Sequence, residues 1–309
     1  MNLEPSTQKK LFGLNKIFDT LKNLHDKNKL PNKILLSGEK GIGKSTLAFH
    51  FINSVLSKDE EFSYNFKNNE INSKNKSYLL LQNKSNPNFH LINILNDKKN
   101  IDIEQIRELI MSLNKSSFNF KKRFVLIDNI DCLNKNSINA LLKILEEPND
   151  NIYFILINHN QKILDTLKSR CLDFKITLSK NKSIEIINEI LKDNVFNLLN
   201  NDFLNHYSTP GTILKIIDFS NIYKIDLKSM NLKDFLILII KNKIYKKAKS
   251  DKEIIYYFIE LYFRNNISKN NINLLKLYKY FLKKINNTIT YNLDEEVIFM
   301  EFEEKVLNG

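Results

Sequence analysis

Apolar positions along the first 180 residues switch between two rhythms. Leu11, Leu14, Phe18, Leu21 and Leu24 recur at three- and four-residue spacing and predict an amphipathic helix over 8–29, closed by Pro31. Lys33 to Ser37 (KILLS) reads as a short apolar strand, followed by a glycine-rich turn and a helix from about Lys44 to Ser57. Strands are predicted at His90 to Leu95 and Arg123 to Ile127, flanking a helix over 102–113 whose Ile103, Ile106, Leu109, Ile110 and Leu113 share a face. A helix over 134–147 ends at Pro148; Ile152 to Ile157 is a wholly apolar strand, 161–168 a short helix, and Leu172 to Ile176 the last strand. Apolar strands alternating with helices predict a parallel sheet covered on both faces.

Two stretches break this order. From Lys58 to Asn88 the chain is dominated by Asn, Lys, Ser and Glu, apart from Tyr78-Leu79-Leu80-Leu81, and reads as mostly a long surface insertion. After about Leu178 the strand signal disappears: 181–217 is helical in period, broken at Ser208-Thr209-Pro210-Gly211, and 231–286 holds helices dense in Ile, Leu, Tyr and Phe. The expected division is an α/β domain at 1–178, a small helical domain at 179–225 and a larger helical domain at 226–309. Helices this apolar suit either a face buried against other subunits or an ordinary intramolecular bundle.

Composition sharpens this. A 309-residue chain that is 42% hydrophobic, with 21 Phe and 12 Tyr, can build real cores, which excludes wholesale disorder. The net charge of +12 invites a nucleic-acid reading, but 43 Lys stand against 4 Arg, with 46 Asn and 3 Ala. That is how AT-rich codon usage looks, so the basicity carries little weight and the basic run at Lys241, Lys243, Lys246, Lys247 and Lys249 reads first as a solvated helix face, with a face toward DNA as the alternative. The four arginines, Arg107, Arg123, Arg170 and Arg264, gain weight, since a planar fork is what lysine cannot replace. The acidic end from Asp294 to Glu304, with Val297, Ile298, Phe299 and Phe302 interleaved, suits a docked or a plain terminal helix. Apolar runs such as Phe235 to Ile240 fall far short of the roughly 20 residues that span a bilayer, and MNLEPSTQKK lacks a signal peptide, so a soluble cytoplasmic protein without membrane partners is expected. Two cysteines 39 positions apart, Cys132 and Cys171, and five histidines scattered without ligand spacing (His25, His50, His90, His159 and His206) point to neither disulfides nor zinc.

The strongest local signal is Gly38-Glu39-Lys40-Gly41-Ile42-Gly43-Lys44-Ser45, with Thr46 next, which fits G-x-x-x-x-G-K-[ST] between a strand and a helix. Gly38, Gly41 and Gly43 let backbone N–H groups turn toward a phosphate, Lys44 would reach the β- and γ-phosphates, and Ser45 would ligate Mg²⁺. Asp128, at the C-terminal end of the strand RFVLI, stands where a second metal-holding carboxylate belongs; the alternative is that it caps the following turn. The next residue is Asn129, which cannot take a proton from water and argues against robust hydrolysis.

Leu141 to Pro148 (LLKILEEP), the strand IYFILI, Leu164 to Lys168 and Ser169-Arg170-Cys171 together resemble, in order and spacing, the LLKxLEEP and SRC signature of bacterial DNA polymerase III clamp-loader subunits. The helix IDIEQIRELI is similar to that family's V-x-Q-I-R-x-L segment. The resemblance covers 1–178 well and the rest only by helical character, and within the family the delta-prime branch is the most similar. It implies an AAA+ type, RecA-like P-loop domain at 1–178, a helical lid at 179–225 and an all-α collar at 226–309, in a five-subunit ring that loads a sliding clamp on primed DNA. Gamma/tau and delta-like subunits would be the partners, and ATP with Mg²⁺ the ligand. Arg170 matches the arginine that acts in trans as a finger on a neighbour's ATP; pairing with a carboxylate such as Asp173 is the structural alternative.

Several departures set this chain apart from a motor subunit. The sensor-2 arginine has no match, since Ser208-Thr209-Pro210-Gly211 is followed by Thr212, and the sensor-1 slot falls at Asn158 or His159. The zinc module many members carry after the P-loop helix is replaced by the cysteine-free insertion, so no zinc is expected. The runner-up reading is an active gamma/tau-like ATPase motor, which Asn129 and Thr212 disfavour. A third, a P-loop factor of DNA repair or chaperone type, has no reason to carry both LLKILEEP and SRC. No carboxylate pair looks like a polymerase site, so polymerase activity would belong to the holoenzyme.

Overall fold

A computed structural model describes residues 4–95, 98–115, 121–146, 151–247, 252–267 and 272–308. The chain divides into two compact units, Met1–Leu178 and Ser179–Gly309.

The first unit is built on five parallel strands, β1 (Lys33–Ser37), β2 (Phe89–Ile92), β3 (Arg123–Ile127), β4 (Ile152–Asn158) and β5 (Leu172–Lys175), in the order β2-β3-β4-β1-β5. Its helices are α1 (Asn15–Asp26), α2 (Lys44–Leu56), α3 (Lys76–Gln82), α4 (Ile103–Leu113), α5 (Lys135–Glu146) and α6 (Asp165–Lys168). Strand alternation sorts the apolar side chains to two faces. Ile34, Leu36, Phe124, Leu126, Ile155 and Ile157 pack with α1, α2 and α3, whereas Leu35, Val125, Ile127, Phe154 and Leu156 pack with α4, α5 and α6. A parallel sheet with both faces covered needs strands this apolar, and β4 is buried along its whole length. Asp102 and Gln105 close a capping box at the start of α4.

Two expectations are corrected here. The first helix starts at Asn15 and not near residue 8, because Gly13 adopts a left-handed φ of +71° and Lys10 bridges Glu70. Leu11 and Leu14 are still buried, so helical spacing was met by a packed loop. The stretch 58–88 is only partly surface: most of its residues are exposed, but Tyr64 and Ile71, with Tyr78 and Leu81 of the apolar run, join the core formed with α1 and α2. Asn75, fully buried, caps α3 by accepting from the Tyr78 amide at 2.7 Å, accepts from Asn53 Nδ2 at 3.0 Å and donates to the Phe62 carbonyl at 2.7 Å. Buried amides paired this fully are tolerated in a core, which is why polar composition misled.

The second unit is helical: α7 (Lys180–Leu191), α8 (Pro210–Tyr223), α9 (Leu232–Lys241), α10 (Ile244–Lys247), α11 (Lys252–Asn266), α12 (Ile272–Tyr291) and α13 (Glu296–Phe302), the last running into a π-type turn at Glu303–Leu307. Pro210 does not interrupt a helix but opens α8, with Thr209 as its N-cap. Phe203, Phe219, Phe235 and Phe258 meet edge to face, and Phe302 meets Phe263 and Phe281 in the same way. Among the described residues no helix is long and apolar enough to cross a membrane.

Candidate functional site

The loop between β1 and α2 sits at the C-terminal edge of the sheet. Gly38 is obligatory there, because a Cβ would overlap the Ile176 carbonyl and lie 2.6 Å from Ile42 Cδ1. Gly43 caps α2 at a φ of +95°, a left-handed conformation that side chains rarely adopt. Thr46, in the first turn of α2, is half-buried.

Lys44 is only 2% exposed, and each of its three ammonium protons has an acceptor. Nζ donates to the carbonyls of Gly38 at 2.7 Å and Glu39 at 2.6 Å, and to His159 Nδ1 at 3.1 Å. Burial pulls its pKa down to about 8, against the opposing pull of Asp128, Asp131 and Glu39. Because an ammonium only donates, Nδ1 of His159 must accept, which leaves the ring proton on Nε2, 3.4 Å from Asp128 Oδ1. The imidazole therefore spans the gap from the P-loop lysine to the β3 carboxylate.

Asp128 also accepts from Ser45 Oγ at 2.8 Å and from the Asn129 amide at 2.9 Å, so it meets the P-loop; the turn that follows has Asn129, not Asp128, at its N-cap. Burial raises its pKa, but the hydrogen bonds from His159 and Ser45 outweigh that and hold it below the usual carboxylate range. Asn129 has a left-handed φ of +60°, and its Nδ2 donates to Asn93 Oδ1 at 2.8 Å. Of the two sensor-1 candidates, His159 faces the loop. Asn158 instead closes a turn, donating to the Gln161 carbonyl at 3.0 Å and accepting from its amide at 3.3 Å.

Arg170 lies elsewhere in the unit, between α6 and β5. Its Nη1 donates to the Thr166 carbonyl at 2.6 Å and its Nη2 to Glu146 Oε1 at 2.5 Å. Asp173, the partner expected as an alternative, accepts from Ser37 Oγ at 2.5 Å instead. Arg107 and Arg264 pair with Glu104 and Glu260, one turn away on their own helices. Glu147 and Pro148 of LLKILEEP lie outside the described residues.

A model of the family described as DNA polymerase III, delta subunit, matches residues 13–180, a span that includes the P-loop, Asp128 and Arg170. The chain belongs to that family. It is 28% identical over 283 residues to DNA polymerase III subunit delta' of Buchnera aphidicola subsp. Schizaphis graminum, covering 86% of this chain and 82% of that one. With the subunit delta' of Pseudomonas aeruginosa it shares 30% over 138 residues, 44% of this chain and 40% of that one. The crystal structure of a DNA polymerase III gamma subunit-related protein from Thermotoga maritima is similar in fold, with a TM-score of 0.52 and 17% identity over 92% of this chain and 96% of that one.

Three site contacts escaped sequence reasoning. Glu146 as the partner of Arg170, Asn93 as the acceptor for Asn129 and His159 as a bridge all join residues at least 24 positions apart. Glu146 had a signal in its place within LLKILEEP, while Asn93, one of 46 asparagines, had none.

Proposed function

We propose that this chain is a delta-prime-type subunit of a bacterial DNA polymerase III clamp loader. It completes a ring with gamma/tau- and delta-like subunits that places a sliding clamp on primed DNA, and it presents Arg170 to a neighbour's ATP. The observation that carries the reading is Asn129. Its carboxamide stands beside Asp128, where hydrolysis needs a carboxylate, and is tied to Asn93.

The P-loop residues fit a phosphate-bearing ligand and a divalent ion. The cradle at Gly38 is one a Cβ would fill, and a hydroxyl and a carboxylate, Ser45 and Asp128, already adjoin at 2.8 Å. Backbone N–H groups from Gly41 to Thr46 would face the phosphates, Lys44 would add its charge, and Ser45 and Asp128 would hold Mg²⁺. Magnesium there would neutralise phosphate charge. A phosphate must first displace acceptors that Lys44 already has, so its net gain is small and affinity weak.

Arg170 has the opposite task. A guanidinium brought to a transferring phosphate offsets its charge, an effect worth about 10³–10⁵ in rate where it is best developed. In this reading 1–178 is the nucleotide-binding fold, 179–225 a lid and 226–309 the collar that fixes the ring. The Ser45–Asp128 contact is a feature that favours an active gamma/tau-like motor instead.

The test is clamp- and primer-DNA-stimulated ATP hydrolysis by the cognate motor and delta-type subunits, assembled with wild type or Arg170→Ala. The alanine variant is expected to assemble and to lower turnover at least about tenfold, or about 1.4 kcal/mol of barrier. Equal rates would remove the finger from the reading, and submicromolar ATP affinity with steady turnover by the isolated chain would favour the motor.

A further inference from the structure

Arg170 is held at two points that belong to different parts of the fold. Thr166, whose carbonyl accepts from Nη1, is on α6; Glu146, whose carboxylate accepts from Nη2, ends α5, 24 positions earlier in the chain. Both helices are rooted in the same core, through Leu141, Ile144 and Leu145 of α5 and Leu167 of α6. The two anchors are therefore fixed relative to each other by packing, not by loop geometry.

An arginine has five N–H donors in a planar fork, and two bonds from its two terminal nitrogens set the orientation of that plane. Three donors remain for another acceptor, and the side chain keeps 34% of its surface exposed. A long side chain that would otherwise sample many rotamers is thus ordered before any partner arrives, which lowers the entropy lost when it meets an anion. Asp173 is engaged instead by Ser37, on the neighbouring strand.

We propose that Glu146 is the positioning residue of Arg170, an inference that rests on the reading of Arg170 as a finger in trans. It supplies a physical reason for LLKILEEP and SRC to occur together: the last described residue of one motif orients the working residue of the other. Glu146 touches no nucleotide in this scheme and acts only through the guanidinium.

The test uses the complex assembled with the cognate motor and delta-type subunits, carrying wild type, Glu146→Ala, Glu146→Gln, Arg170→Ala or the double alanine variant. Clamp- and DNA-stimulated kcat and KM are measured, along with assembly by gel filtration and thermal melting of each free chain. Glu146→Ala is expected to lower kcat about tenfold, less than the roughly 100-fold that misplacing a catalytic group by about 1 Å can cost, while KM, assembly and melting hold. Glu146→Gln should recover most of the loss, since its amide oxygen still accepts, and the double variant should be no slower than Arg170→Ala. If Glu146→Ala turns over at or above the wild-type rate while Arg170→Ala is slow, positioning is overturned and the finger stands. Loss of assembly or a lowered melting point in Glu146→Ala, without rescue by Gln, assigns Glu146 a structural role and also overturns the proposal. Wild-type turnover in Arg170→Ala sinks the finger reading itself and this inference with it.

Discussion

Two buried basic side chains in the first unit solve the cost of burial in opposite ways. Lys44 keeps three acceptors around its ammonium, with its pKa still drawn down to about 8. His50, fully buried, stays neutral: Gln8 offers only a carbonyl, so Nε2 donates to it at 3.1 Å, and Nδ1 accepts from the Tyr64 hydroxyl at 2.9 Å. Burial pushes its pKa from 6.5 to about 4, against the pull of the Gln8 hydrogen bond. The folded state thus refuses a proton that the unfolded chain accepts below about pH 6.5. Stability from this group is complete above that pH and is lost as pH falls through about 4, roughly 3 kcal/mol in all. Glutamine can make both bonds without titrating. Urea titrations of His50→Gln are expected to show a shallower fall in stability than wild type between about pH 6.5 and 4, and parallel curves would contradict the assignment.

Elements of the second unit are tied by carboxylates shared between lysines. Glu296 of α13 accepts from Lys243 at 2.8 Å and Lys246 at 2.7 Å, after α9 and in α10. Glu301, also on α13, accepts from Lys284 of α12, from Lys305 in the π-type turn at 2.5 Å and from the Tyr280 hydroxyl at 2.8 Å. The two lysine bonds hold its pKa at about 2, despite partial burial that works the other way. A depressed carboxyl stabilises above its unfolded pKa, 4.5 here, and loses that contribution as pH falls through about 2. Glu301→Gln should therefore melt below wild type at pH 6, with the gap closing as the pH is lowered from about 4.5 toward 2. A gap that stays constant over that range would show that packing, not charge, accounts for the loss.

At the scale of the whole molecule, the C-terminal helices put apolar residues on both of their sides. Ile298, Phe299 and Phe302 of α13 are at most 1% exposed, whereas Val297 and Met300 on the same helix are 54% and 62% exposed, with Leu293 just before it at 54%. Val297 and Met300 lie three apart on one face, which another subunit would cover in the ring proposed above. A Val297→Lys/Met300→Lys variant is expected to keep its melting temperature, since neither side chain contributes to the core, and to lose co-elution with the other subunits on gel filtration. Normal assembly by a folded variant would place the ring contact elsewhere.

Much of the fold was legible in the sequence because its signals are local. Strand alternation, the helix spacing of 103–113, the glycines of the P-loop and the Asp128-Asn129 pair each depend on residues a few positions apart. Local spacing also misled where it was satisfied without the element, as Leu11 and Leu14 show, and composition misled where buried amides such as Asn75 took the place of apolar side chains. What only the tertiary structure decided is which distant groups meet. Strand order β4-β1-β5 sets Asp173 against Ser37, the packing of α5 and α6 on one core gives Arg170 to Glu146, and the end of β4 turns His159, not Asn158, toward Lys44. A hydrogen bond is made or missed within about half an ångström, and no local pattern sets that distance between segments brought together only by the packing of the sheet and its helices.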